Sequence, residues 1–280
     1  MKTRKLWLSL GAAAVSFPAA PGYISPTLAQ AHVHGGAASN VVMKPDMAPG
    51  MGGETGEDSV AKADADARLD PAVRFYRDIQ LVRGHILVGN ELVKAGLWAD
   101  ALPHFLHPVE ELYDGLAAPL RARKGKPFLQ QLKVLAQTVK AKNEQAYDAA
   151  LASLNAKLNS IDTGLKIEKA DWMPFVVDTA LETMRSAIGE YTSSIQDGHF
   201  AKAVEYQDSR GFVYQADLML ASVTPMIAAK DPSVSVRMQT GMTALKAAWP
   251  TPVPPAAVVD DASKVAAHIS KLELVLGNLK

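Results

Sequence analysis

The stretch DPAVRFYRDIQLVRGHILVGNELVKAG, residues 70–96, decides the fold. Asp70 offers an oxygen to the free amides of a helix start, and Pro71 suits the first helical position. Phe75, Ile79, Val82, Ile86 and Val93 recur at helical spacing. Leu81, His85, Val88 and Leu92 make a second row beside them, so the apolar face is broad. Gly96 supplies the stop. The spacing predicts a helix from Pro71 to about Ala95, and the same grammar continues along the chain.

Helix two is predicted from Leu97 to about Lys124, with Pro108 either kinking it or restarting it. Helix three opens at Pro127 and runs to about Lys142, and helix four covers about Asn143 to Ser160. A break at Asp162-Thr163-Gly164 follows. Helix five is predicted over Trp172 to Asp197, helix six over Phe200 to Ala229, and helix seven from Pro232 to near Trp249. The prolines at 250, 252, 254 and 255 predict a stiff extended connector. A last helix, capped by the residues at 260–263, reaches about Leu279. The expected fold is all-α, with two antiparallel helical-bundle halves over residues 69–162 and 163–280. Gly96-Leu97-Trp98-Ala99-Asp100-Ala101 lines up with Gly198-His199-Phe200-Ala201-Lys202-Ala203, which suggests duplication of a four-helix unit. Helical hairpins also resemble one another by default, so chance similarity stays open.

The N-terminus points to export. Lys2, Arg4 and Lys5 precede an apolar run from Leu6 to Phe17, and Ala29-Gln30-Ala31 fits a cleavage site. Residues 1–31 are expected to be a signal peptide and the periplasm the destination. Residues 32–68 hold Gly, Ala, Asp, Pro and Met with few large aliphatic side chains, and read as disordered. No second apolar segment is expected to be long enough to span a membrane. Cleavage removes three cations, taking Lys plus Arg from 29 to 26 against 29 Asp plus Glu. That balance gives no polybasic face for nucleic acid. The chain has no cysteine, so a metal site must draw on His, Met, Asp or Glu.

Chemistry concentrates in helix two. On a helical wheel at about 100° per residue, His104, His107, Glu111 and Asp114 share one stripe with Glu110 at its edge. Leu102, Phe105, Val109, Leu112 and Leu116 take the opposite side. Imidazole with carboxylate is the usual ligand set for zinc, ferrous iron and copper. A solvated polar face produces the same pattern. One helix rarely closes a site, and an antiparallel hairpin about Gly96-Leu97 puts His85 level with His107. His85 reads more readily as a core histidine bonded to a backbone carbonyl than as a ligand. In the tail, cleavage after Ala31 would start the chain His32-Val33-His34, a square-planar nitrogen site for Cu(II) or Ni(II). Met43, Met47 and Met51 add thioethers that favour Cu(I).

Leu106-His107-Pro108-Val109-Glu110-Glu111-Leu112 resembles the H-x-x-E motif of imelysin-like proteins and of the periplasmic component of iron-uptake systems. The resemblance implies an all-helical periplasmic protein of two four-helix bundles, with His107 and Glu110 as the motif pair. The family tends to have a glycine where Phe105 stands, and Pro108 falls inside the motif.

Three functions compete. The first is a non-enzymatic periplasmic metal binder for iron or copper, with an inner-membrane transporter or another periplasmic protein as partner. The second is a helical scaffold or interaction module without metal. The third is an enzyme, disfavoured because G-x-S-x-G, H-E-x-x-H and a phosphate-cradling glycine loop are all absent.

Overall fold

A computed structural model describes residues 66–277 and 279. The expected signal peptide, residues 32–65, and the candidate ligands His32, His34, Met43, Met47 and Met51 lie outside the described residues. Residues 66–68, placed by the sequence in the disordered segment, form a helical turn whose Asp66 pairs with Arg77.

Helix α1 spans Pro71–Lys94. The Asp70 carboxylate accepts from the amides of Ala72 at 2.8 Å and Val73 at 3.1 Å, satisfying donors that a helix start leaves free. At the far end Leu97 N–H donates to Leu92 O and Gly96 N–H to Val93 O. This crossed pair of bonds turns the chain through a left-handed residue, Gly96 at φ 78°.

Helix α2 spans Trp98–His107 and α3 spans Tyr113–Ala122. Between them Pro108–Leu112 forms one π turn, closed by Tyr113 N–H donating to Pro108 O. Helical backbone angles carry through His107 and Pro108, so the helix does not restart there; it widens. Pro108 lacks an N–H, and the wide turn absorbs the loss within a continuous helical path. Helices α4 (Leu129–Lys140) and α5 (Glu144–Glu168) complete the first half. The break expected at Asp162-Thr163-Gly164 is absent, and α5 runs through it. Leu158, Ile161 and Leu165 carry the buried stripe across that point, and Gly164 faces open space. The true break comes after Glu168.

The second half holds α6 (Trp172–Ser194), α7 (Ala203–Lys230), α8 (Pro232–Lys246) and α9 (Ala262–Gly277). α6 stops at Ser194, short of the expected Asp197. A two-residue hairpin follows, pairing Ile195 with Phe200 and Gln196 with His199. Its turn residues, Asp197 and Gly198, both have positive φ, as a tight right-twisted hairpin requires.

Helix α7 is long and apolar enough to cross a membrane by length and composition, contrary to the sequence expectation. Between Gly211 and Ala229 its only charge is Asp217. It packs against α6, α1 and α8, and α9 closes the ring against α8 and α6. Trp249, fully buried, anchors the connector by donating its indole N–H to Ser209 Oγ at 2.7 Å.

Helix α1 joins the halves. It contacts α2 on one side and α6 and α7 on the other. The approach to α7 is closest at a glycine pair, where a Cβ on Gly211 would stand 2.3 Å from the Gly84 carbonyl oxygen. Flanking that contact are a buried amide pair, Gln215 Nε2 donating to Gln80 Oε1 at 2.7 Å, and the cluster described next.

Candidate metal centre

His85 sits in the middle of α1, one residue beyond the glycine contact, and is buried. His104 is fully buried on α2, and His107, the last residue of that helix, keeps 23% of its side-chain surface exposed. All three converge on Asp208, buried in α7. His85 Nδ1 stands 2.6 Å and His104 Nδ1 2.7 Å from Asp208 Oδ1, and His107 Nδ1 stands 3.0 Å from Oδ2. The ring centroids of His85 and His107 are 5.4 Å apart, edge to face. The far nitrogen of His104, Nε2, lies 2.9 Å from Gln207 Oε1.

Burial alone would raise the Asp208 carboxyl. The His85 and His104 charges and the hydrogen bonds from His104 and His107 outweigh it and hold the group well below the usual carboxylate range. Burial likewise opposes charge on His107. The hydrogen bond to Asp208 and that residue's charge, with Glu111 and Glu190 adding, push its imidazole up to about 9. Arg210, two residues from Asp208, is occupied elsewhere. It forks onto Glu91 at 2.8 and 3.1 Å, donates to Trp249 O, and lies 4.0 Å over the Tyr214 ring. Asp208 is therefore left to the imidazoles.

Of the residues singled out in the sequence, the fold brings His85, His104 and His107 together. Glu110, Glu111 and Asp114 are exposed and stand outside the group, Glu111 acting on His107 by charge alone. The expected stripe assumed an unbroken α-helix. The π turn adds one residue to a single turn, which rotates everything beyond it by about 100°. The histidines also do not lie on a solvated face, because α2 is covered by α1, α4 and α7. The H-x-x-E pair is separated in the same way: His107 faces inward and Glu110 outward.

Asp208 and Gln207 escaped the sequence reading. The usable signal was the run Gln207-Asp208-Ser209-Arg210, four polar residues in the interior of a long helix, all buried. Polar residues in that setting need partners.

Among the described residues, His85, His104 and Asp208 each offer a donor atom, and these lie within 4.8 Å of one another. Nitrogen and oxygen donors of this kind suit Fe(II), Zn(II) and Cu(II). Tetrahedral donors sharing one ion at about 2.1 Å stand roughly 3.4 Å apart. The contacts to Asp208, at 2.6–3.0 Å, must lengthen for an ion to enter.

Residues 168–279 match the family model of the iron permease-associated four-helix bundle domain. The matched segment holds α6 to α9, less than half of the chain, and includes Gln207 and Asp208 but none of the three histidines. The match relates this part to an iron-uptake family, not to the imelysin-like one. No curated protein and no solved structure matches the chain.

Proposed function

We propose that this chain is a non-enzymatic metal-binding component of iron uptake that takes a divalent iron ion at His85, His104, His107 and Asp208. The observation that supports it is the convergence of three imidazoles, from two helices of the first half, on one buried carboxylate of the bundle. The iron permease-associated description of that bundle favours iron as cargo. The same association favours a membrane permease as partner, and the export signal read from the N-terminus puts the encounter in the periplasm. Copper stays with the tail, where His32, His34, Met43, Met47 and Met51 form a separate proposal.

The test is anaerobic calorimetry of the signal-cleaved chain with Fe(II), Zn(II) and Cu(II). One Fe(II) per chain, lost in Asp208→Ala and weakened in His107→Ala, is the expected result. Deleting residues 32–65 should leave Fe(II) binding unchanged and remove only the additional copper that the tail holds, since the buried donors themselves suit Cu(II). One observation favours a second reading, that of a metal-free scaffold: the contacts of 2.6–3.0 Å are good hydrogen bonds as they stand. Absence of any binding heat, with a melting temperature indifferent to chelators, would establish that reading instead.

A further inference from the structure

Building on the metal-binding reading, we propose that Gln207 is a positioning residue that turns His104 so that its Nδ1 faces the ion, which makes Asp208 a direct ligand. A metal-bound imidazole commonly donates its other N–H to a carboxylate, which then sits outside the ligand shell. That arrangement would put the ion on the Nε2 atoms and leave Asp208 as an orienting group.

His104 does not permit it. Its Nε2 is held at 2.9 Å by Gln207 Oε1, and the residue has no exposed surface. The nitrogen left to face a ligand is Nδ1, which already points at Asp208. The Nδ1 atoms of His85 and His107 point at the same carboxylate. The orienting part thus falls to the Gln207 amide.

The placement follows from the helix. Gln207 and Asp208 are successive residues on α7, so their side chains leave the axis about 100° apart. They bracket the His104 ring, the shorter side chain meeting the near nitrogen and the longer one the far nitrogen. Gln207 is itself buried, so water does not compete for the contact. The close approach of α1 and α7 at Gly84 and Gly211 lets so short an acid as Asp208 reach across to His85.

Two measurements test this on the signal-cleaved full chain. In the first, imidazole ¹⁵N spectra of the Zn(II)-loaded protein should show His104 bound through Nδ1, with a protected proton on Nε2. In the second, Fe(II) affinity should fall about 10- to 100-fold in Gln207→Leu, the range for loss of such an orienting contact. Gln207→Glu, which keeps an acceptor at that nitrogen, should recover affinity to within a few-fold of the original protein. Zinc on His104 Nε2 would overturn the inference and leave the metal site standing. So would a folded Gln207→Leu that binds Fe(II) as tightly as the original. Failure of the unaltered protein to bind Fe(II) or Zn(II) would overturn both. The spectra of the unaltered protein decide the matter even if the leucine variant does not fold.

Discussion

Asp208 shows how much one side chain can carry. All three imidazoles touch it, and it comes from a different half of the chain. Removing one partner of a buried ionic cluster leaves the others uncompensated, typically at about 3–5 kcal/mol. Asp208→Ala should therefore lower the stability of the metal-free protein by about 3 kcal/mol in urea denaturation, well beyond an ordinary surface change. Asp70 offers a contrast at the edge of the fold. Burial alone would raise its carboxyl; the amides of Val73 and Ala72, with Lys169 and Arg123 nearby, outweigh that and lower it below its ordinary value of 3.8. A depressed carboxyl stabilises the fold in full above that value and loses its contribution as pH falls through the folded-state titration. Asp70→Ala should cost about 1 kcal/mol at neutral pH. The gap between the two proteins should close as unfolding is followed down to pH 2. The histidines were legible in the sequence because three of them crowd into 85–107. Asp208 was not, because no spacing rule links a side chain to partners more than a hundred positions away.

Elements were legible where their ends carry local chemistry. Asp70 with Pro71, Asp231 with Pro232 and the glycine at 96 each mark a boundary through a hydrogen bond or a backbone angle that neighbours in the chain supply. The π turn at 108–112 and the continuation of α5 through Gly164 were not legible, since tertiary burial decides both. Two glycines inside helices test that distinction. Gly164 in α5 has open space where a side chain would go, so Gly164→Ala should stabilise the protein by up to about 1 kcal/mol. Gly211 in α7 meets the Gly84 carbonyl. Gly211→Ala must push the helices apart, which should cost about 1–3 kcal/mol and weaken Fe(II) binding in the same preparation. Thermal melts with and without iron separate the two effects.

The described residues form two helical halves joined along α1, and the proposed ion stands on that seam. Its donors come from α1 and α2 on one side and α7 on the other. An ion bound only by the folded state stabilises by about 2.7 kcal/mol at a hundredfold excess over its dissociation constant. Fe(II) should accordingly raise the unfolding midpoint of the full chain, a chelator should reverse the rise, and Asp208→Ala should abolish it. The seam was the part least visible in sequence, because each half displays its own apolar pattern and neither announces what crosses between them.

The unequal exposure of the cluster also sets a time course. His85, His104 and Asp208 are sealed from solvent, whereas His107 keeps about a quarter of its side chain at the surface. The proposed ion's way out is past His107, the most exposed of its donors, and a competing chelator meets the ion once that door swings. Unloading should follow a single exponential whose rate ignores how much chelator is added, and widening the door with His107→Ala should speed it.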